Sequence, residues 1–238
     1  MLYIERAQPS QEAVNEISRV KIDCKDLLDK RDPQSARGAF DCLNKSLIRD
    51  CLIKEQHGLC GYCMRHIEND IHMTIEHLDP IEKNVDGALD YENMLGVCDG
   101  GRTIEKKYWP TGQHILCCDA AKGSQEITIS PYNKEHMNKI RYREDGTIYT
   151  YPKDDILERD INDVLHLNGE NGLDTSTGLL RGRREAYRSF FNEMKRQDKN
   201  ISRAYIERRI RAIESKDEYP EFAGVILYFL KRKLQQLI

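Results

Sequence analysis

Apolar residues recur at helical spacing over most of the chain. Ser10 is suited to capping a helix that runs from about residue 11 to residue 30. Pro33 is typical of the first turn of a second helix, which should end near Gly58, because glycine often follows a helix end. From Ile156 onward the apolar period is helical again. The pattern therefore predicts a mainly helical protein.

Three short regions carry strand patterns instead. Residues 71–77 alternate apolar and polar side chains, and we expect this strand to form a hairpin with residues 64–67. Asp145-Gly146 lies between Tyr-rich and Ile-rich flanks and predicts a second hairpin. Residues 2–6 have the composition of a short edge strand. The expected fold class is therefore α+β, mainly helical.

Composition limits the classes of protein to which the chain can belong. Its 238 residues allow a real buried core, and its net charge of −3 argues against a sequence-independent nucleic-acid coat. There is no run of about 18 or more apolar residues, and the first residues lack the apolar segment of a signal peptide. We therefore expect a cytoplasmic protein without membrane association. In that compartment, eight cysteines favour metal binding over a disulfide framework.

The cysteines concentrate at a spacing typical of a metal site. Cys60 and Cys63 form a CxxC pair, which places two sulfurs on one tight turn. Cys98 and one of the adjacent Cys117 and Cys118 can supply two more ligands. Structural zinc takes four thiolate or imidazole ligands in a tetrahedron, so the spacing predicts zinc. The alternative is a set of reduced, buried thiols.

No repeat, low-complexity tract or clear linker divides the chain. The simplest organisation is one compact unit of three segments. Residues 1–57 form an N-terminal helical segment, residues 58–131 form a central metal-bearing module that begins a short helix near Cys117, and residues 132–238 add a hairpin and C-terminal helices packed on that module.

Glu76 and His77 lie between the two halves of the cysteine set. A carboxylate at such a position can hold a divalent cation near a phosphate, and a histidine can take a proton from an attacking water. For an isolated Glu-His pair, a surface carboxylate beside a packed imidazole is the simpler interpretation. The surrounding motifs change that interpretation.

The motifs follow one another as CxxC, Glu-His-x-x-Pro, Asn-x-Leu with a nearby cysteine, and Cys-Asp-x-x-Lys. They are carried by Cys60, Cys63, Glu76, His77, Pro80, Asn93, Leu95, Cys98, Cys118, Asp119 and Lys122. This order resembles the zinc-bearing HNH endonucleases. More narrowly, the segments EQHGLCGYC, IEHLDP, CDAAKG followed by ISP, RYREDGTI and LHLNGENGL resemble the HNH proteins of the Septu and retron anti-phage systems. That resemblance covers roughly residues 50–190.

The resemblance implies a ββα-metal (HNH) module in which a hairpin and a helix grip one catalytic Mg²⁺ or Mn²⁺. His77 matches the general base, and Asn93 matches the residue that orients the histidine and its loop. Glu76 and Asp119 match the two ligands of the catalytic cation. Lys122 is suited to a phosphate contact.

The resemblance also implies that Cys118 is the fourth zinc ligand, beside Cys60, Cys63 and Cys98, and that Cys117 is spare. Two features depart from the family pattern. Asp119 stands where histidine is usual, although an aspartate oxygen suits Mg²⁺ or Mn²⁺. An insertion between Cys98 and Cys117 separates two cysteines that commonly form a second CxxC.

The function implied by the resemblance is metal-dependent hydrolysis of phosphodiester bonds, with DNA as the first-choice substrate and RNA, such as tRNA, as the alternative. The resemblance further implies anti-phage defence with an ABC-type ATPase partner, and with a retron reverse transcriptase and its RNA and DNA. A hypothesis from another class is a non-catalytic zinc module that docks nucleic acid or protein.

Positive charge concentrates in the C-terminal third of the chain. Residues 181–211 contain eleven Lys or Arg and four Asp or Glu. Arg183 and Arg184 are therefore candidate phosphate contacts. The alternative is a solvated helix face with internal ion pairs.

Overall fold

The computed structural model describes residues 1–69, 72–109, 112–196 and 201–237. The chain is α+β and mainly helical, as the apolar period predicts. The helices are Gln11–Asp23 (α1), Lys25–Leu28 (α2), Pro33–Asp41 (α3), Lys45–Glu55 (α4), Asp119–Lys122 (α5), Lys134–Lys139 (α6), Asp155–Arg159 (α7), Leu179–Arg196 (α8), Arg203–Glu214 (α9) and Ala223–Gln235 (α10). The strands are Met73–His77 (β1), Met94–Cys98 (β2), Ile140–Tyr142 (β3) and Ile148–Thr150 (β4).

The N-terminal helices begin where predicted but are shorter than predicted. The hydroxyl of Ser10 accepts a hydrogen bond from the Ala13 amide and caps α1. The second predicted helix is two helices, α3 and α4, because the chain turns between them. In that turn Leu43 enters the core, and the Asn44 amide donates to a carboxylate oxygen of Glu16 instead of continuing a helical ladder. An apolar period alone does not reveal such a break.

The expected edge strand at residues 2–6 is wrong, because residues 1–10 have no regular secondary structure. The Ile4 amide donates to the carbonyl of Pro131, but proline has no N–H to return a ladder bond. A single such bond does not make a strand pair.

The central strand pairs with a different partner from the one predicted. β1 is antiparallel to β2, with Met73 opposite Cys98 and His77 opposite Met94. The prediction that residues 64–67 form the partner is wrong, because His66 instead makes a single bridge to Leu59 and closes the CxxC turn. Ile71, the first residue of the predicted strand, lies outside the described residues.

The second predicted hairpin is confirmed as β3 and β4. Its turn contains Gly146 at φ +93°, where a Cβ atom would lie 2.3 Å from the Leu180 carbonyl oxygen. Glycine is required there because the turn packs directly on the backbone of α8. The hairpin thus joins the C-terminal helices to the rest of the fold.

One buried apolar cluster extends from Met1 to Leu230 and includes β1, β2 and the cysteines of the predicted metal site. A smaller cluster of Ala36, Ile81 and Ala88 packs α3 on the β1–β2 connection. This second contact holds α3 beside the C-terminal end of β1. In the part of the chain that the structure describes, no helix has both the length and the apolar character needed to cross a bilayer.

Candidate metal centre and active-site cleft

Four buried cysteines converge at one end of the β1–β2 pair. Cys60 and Cys63 lie on the turn after α4, Cys98 ends β2, and Cys118 precedes α5. Their sulfur atoms all lie within 4.8 Å of one another. These four residues could hold a metal ion such as zinc.

The sulfur positions fit the dimensions of a zinc tetrahedron. With Zn–S bonds near 2.3 Å, two sulfurs on a regular tetrahedron are about 3.8 Å apart. The Cys60–Cys118 sulfurs are 3.9 Å apart, the Cys63–Cys98 sulfurs 3.7 Å and the Cys98–Cys118 sulfurs 3.8 Å. The donor set is four thiols and no oxygen, which suits zinc better than magnesium or calcium.

The insertion between Cys98 and Cys118 leaves the base of the second ligand pair closed. The Cys117 amide donates to the Gly100 carbonyl at 3.0 Å, so the chain returns to β2 at the point where it left. Gly100 has φ +65°, and a Cβ atom there would lie 2.1 Å from the Cys117 carbonyl oxygen. Residues between these two points therefore extend from a closed base without separating the metal ligands.

Adjacent residues Cys117, Cys118 and Asp119 point to three different environments. Cys118 has φ +54°, a conformation rare for a residue with a side chain, and its sulfur joins the four-cysteine cluster. The Cys117 sulfur lies 3.6 Å from both the Gly100 carbonyl oxygen and the Thr177 hydroxyl oxygen. Cys117 is therefore the spare cysteine, and Asp119 turns toward a separate cleft.

The cleft has a volume of about 450 Å³ and lies between β1, α3, α5 and the loops after β1 and β2. Its lining contains four of the residues that the sequence singled out: Glu76, His77, Asp119 and Lys122. Three of them are almost fully buried, and the side chain of Asp119 is 14% exposed. The structure therefore brings the predicted catalytic residues, apart from Asn93, into the lining of one cavity.

Glu76 has three polar neighbours in the cleft. Its Oε1 atom lies 2.7 Å from the Lys122 ammonium and accepts a hydrogen bond of 3.3 Å from the Tyr62 hydroxyl. Burial raises the pKa of Glu76 to about 8; Lys122 opposes this shift and Asp119 adds to it. Two carboxyl groups thus share a weakly solvated space, and a cation between them would relieve their repulsion.

His77 has one ring nitrogen bonded and the other available. Its Nε2 lies 3.0 Å from the Ala88 carbonyl oxygen. Because a carbonyl can only accept, Nε2 carries the proton of the neutral ring, and Nδ1 keeps a lone pair. Phe40 of α3 packs edge-on against the ring at 4.7 Å between centroids. Burial lowers the pKa of His77, so the ring is a neutral proton acceptor at pH 7.

Asn93 acts on the loop and does not contact the imidazole. Its Oδ1 accepts from the Asp79 amide at 2.8 Å, and its Nδ2 donates to the carbonyls of Asp79 and Gly87 at 3.0 and 3.2 Å. These bonds hold the connection between β1 and β2. Ala88, whose carbonyl binds His77, follows Gly87 directly. Asn93 therefore orients His77 at one remove, through the backbone.

Two predicted phosphate contacts are corrected by the structure. Lys122 is 1% exposed and uses its ammonium on Glu76 and on the His77 carbonyl oxygen, so it is a cleft cation instead of a surface contact. Arg183 is fully buried and donates to the carbonyls of Gly146 and Leu167, so it cannot reach a phosphate.

Arg184 is exposed on α8 and stays a candidate phosphate contact. Other arginines of the basic segment form ion pairs within it. Arg203 lies 2.8 Å from Glu207 and Arg209 lies 2.7 Å from Glu193. These pairs agree with the alternative of a solvated, ion-paired helix face.

The sequence interpretation missed two arginines at the mouth of the cleft. Arg102 lies 2.9 Å from Asp119, and Arg37 of α3 pairs with Glu82. Both side chains are about half exposed. Arg102 follows Cys98 by four residues, so its nearness to the cysteine motif was readable from the sequence. Nothing local to Arg37 indicates that α3 packs beside β1.

No known protein-family model and no curated protein sequence matches this chain. What can be inferred about its function rests on the geometry of the metal centre and the cleft.

Proposed function

We propose that the protein is a metal-dependent endonuclease of the HNH type that hydrolyses phosphodiester bonds, with DNA as its substrate. One observation carries the proposal. Glu76 and His77 at the end of β1 and Asp119 at the start of α5 line one cavity beside the four-cysteine centre. A carboxylate pair beside a neutral histidine with an available nitrogen can hold a cation and accept a proton from water.

The proposed base is Nδ1 of His77. The bond from Nε2 to the Ala88 carbonyl fixes the tautomer in which Nδ1 can accept a proton. Phe40 limits rotation of the ring, and the loop held by Asn93 keeps the carbonyl in place. The proton from an attacking water passes to Nδ1, and the bonded carbonyl stabilises the imidazolium that forms.

Glu76 and Asp119 are the proposed ligands of Mg²⁺ or Mn²⁺. The ion pairs of these residues involve Oε1 of Glu76 and Oδ2 of Asp119, so one further oxygen of each can face a cation. Hard oxygen donors suit these ions, which complete their shell with water and substrate phosphate. When bound, the cation would supply charge stabilisation at the phosphate and at the departing oxygen.

Arg102 and Arg37 are the proposed phosphate contacts in place of Lys122 and Arg183. They lie on two sides of the cleft, where a backbone crossing the mouth would pass between them. Guanidinium groups bind phosphate oxygens through two parallel hydrogen bonds. Lys122 instead balances the charge of Glu76 inside the cleft.

A non-catalytic zinc module is the second candidate, and one observation favours it. Both carboxylates already have cationic partners within the chain, Lys122 and Arg102. In such a module His77→Ala would leave the biological activity intact, whereas Cys60→Ala would abolish it by disrupting the zinc site.

The test uses zinc-loaded protein, plasmid DNA and tRNA, with Mg²⁺ or Mn²⁺ added. We expect cleavage of DNA that depends on the added cation and is abolished in Asp119→Asn, together with weaker Mn²⁺ binding by that variant. Cleavage of tRNA alone would move the proposal to RNA. If Asp119→Asn cuts and binds Mn²⁺ like the parent protein, the proposed cation site is wrong.

We further propose that the nuclease acts in anti-phage defence with an ABC-type ATPase, as the resemblance implies. The assay is therefore run with and without the ATPase encoded beside this chain, and with the retron reverse transcriptase where one accompanies it. Cleavage that requires the ATPase would support a regulated effector. Equal cleavage with and without it would remove the regulatory part of the proposal.

A further inference from the structure

Arg183 is a buried cation without a carboxylate partner. Its side chain is 0% exposed, and its Nε and Nη2 atoms donate to the carbonyls of Gly146 and Leu167. Its Nη1 atom has no hydrogen-bond partner among the described residues. A buried charge that is neither paired nor fully bonded destabilises a fold strongly, so a source of negative charge should lie nearby.

The nearest acidic side chain does not supply that charge by contact. Asp174 accepts hydrogen bonds from the amides of Leu180 and Arg181, both at 2.9 Å, and so caps the start of α8. In the portions of the chain that are described, Arg183 forms no ion pair with a carboxylate. The balancing charge must come from another group.

The four-cysteine centre is adjacent to Arg183 through two connections. The Cys118 amide donates to the Leu165 carbonyl at 3.0 Å, and Arg183 binds Leu167 two residues further along the same segment. On the other side, the turn that leads into α8 contacts the centre, because the Thr177 hydroxyl lies 3.6 Å from the Cys117 sulfur. Arg183 therefore lies behind the metal site, on the side facing the core.

We propose that Arg183 is the buried counter-charge of the four-cysteine metal centre. Four thiolates around one zinc carry a net charge of about −2, because cysteine binds zinc as thiolate. Such a charge in a solvent-free core requires nearby cations, and a guanidinium held by two backbone carbonyls provides one without becoming a ligand. The proposal does not depend on nuclease activity.

Two further observations agree with this role. Burial lowers the pKa of Arg183, and the charges of Tyr142, Cys63 and Cys117 oppose that shift. A second guanidinium, that of Arg65, lies on the other flank, where it follows Cys63 by two residues and donates to the Thr177 carbonyl at 3.3 Å. Two cations around a centre of charge near −2 would bring the region close to neutrality.

Zinc retention tests the proposal. Full-length zinc-loaded protein is mixed with an excess of a chromophoric zinc chelator, and the release rate and the zinc dissociation constant are measured. The variants are Arg183→Met, which removes the charge, and Arg183→Lys, which keeps it. Arg184→Met is the matched control, since Arg184 is the exposed neighbour on the same helix.

We expect Arg183→Met to weaken zinc binding by roughly ten- to a hundredfold, the usual effect of removing a group that supports metal ligands. Arg183→Lys should stay within a few-fold of the parent protein, and Arg184→Met should match it. If Arg183→Met retains zinc like the parent, the proposal is wrong. The same holds if Arg183→Lys weakens zinc binding tenfold or more, because the guanidinium would then act through its hydrogen bonds. Arg183→Lys thus decides the question even if Arg183→Met does not fold.

Discussion

Serine substitutions at Cys118 and at Cys117 should have opposite consequences, although both cysteines are buried and adjacent in the chain. Cys118→Ser removes one of four sulfurs that lie within 4.8 Å of one another. Cys117→Ser keeps a hydroxyl that can donate to the Gly100 carbonyl, which now lies 3.6 Å from the sulfur. The pair separates loss of a metal ligand from the general effect of a serine in the core.

The size of the difference follows from linkage between zinc binding and folding. If loss of one thiolate weakens zinc binding about a thousandfold, the bound metal stabilises the fold by about 4 kcal/mol less at the same excess of zinc. In a chain of this length each kcal/mol changes Tm by about 2–4 °C, so Tm should fall by about 8–16 °C. Cys117→Ser should cost about 1 kcal/mol, the scale of one altered buried hydrogen bond.

The assay measures zinc per chain by elemental analysis and Tm by thermal melting at fixed free zinc. Chelator treatment of the parent protein should reproduce the Tm of Cys118→Ser, whereas that variant itself should respond little to chelator. Stoichiometric zinc in Cys118→Ser would refute the ligand assignment. Loss of zinc in Cys117→Ser would show that Cys117, and not Cys118, is the fourth ligand.

Three other changes test separate parts of the structure. Asn93→Ala removes three hydrogen bonds, and urea unfolding should show a loss of about 3 kcal/mol; an unchanged value would mean that the loop does not depend on this amide. Arg6→Met leaves Glu55, whose side chain is fully buried, without its partner at 2.6 Å and should cost about 3–5 kcal/mol by the same measurement; a cost below about 1 kcal/mol would contradict this. If α8 binds phosphate, neutralising Arg184 and Arg188 should lower the salt slope of nucleic-acid binding by roughly 1 for each phosphate that is no longer neutralised; an unchanged slope excludes that surface.

The metal ligands were accessible from the sequence because their information is local. CxxC and the Cys-Asp-x-x-Lys motif carry their own spacing, and the structure places Cys60 and Cys118 in one cluster. The β3–β4 hairpin was predictable for the same reason, since Asp145-Gly146 specifies a turn between adjacent strands.

Features that depend on distant parts of the chain were not predictable. Arg183 belongs to a basic helical segment, and only its hydrogen bond to Gly146, 37 residues earlier, shows that it is buried. Lys122 likewise has the sequence context of a surface cation, and only its ion pair with Glu76, on β1, places it inside the cleft. Charge pattern on a helix says which residues share a face, but not which face another element covers.

The most direct test of the central claim compares His77→Ala with His66→Ala in a DNA cleavage time course with Mn²⁺. His77 lines the cleft, whereas His66 is exposed and bonds to the Tyr219 carbonyl. We predict that His77→Ala lowers the rate by roughly 10²- to 10⁴-fold with zinc content unchanged, as expected for loss of a general base, and that His66→Ala cuts like the parent protein. Equal cleavage by His77→Ala and the parent, or no cleavage by the parent with any added cation, substrate or partner, would contradict the assignment of this cleft as a nuclease active site.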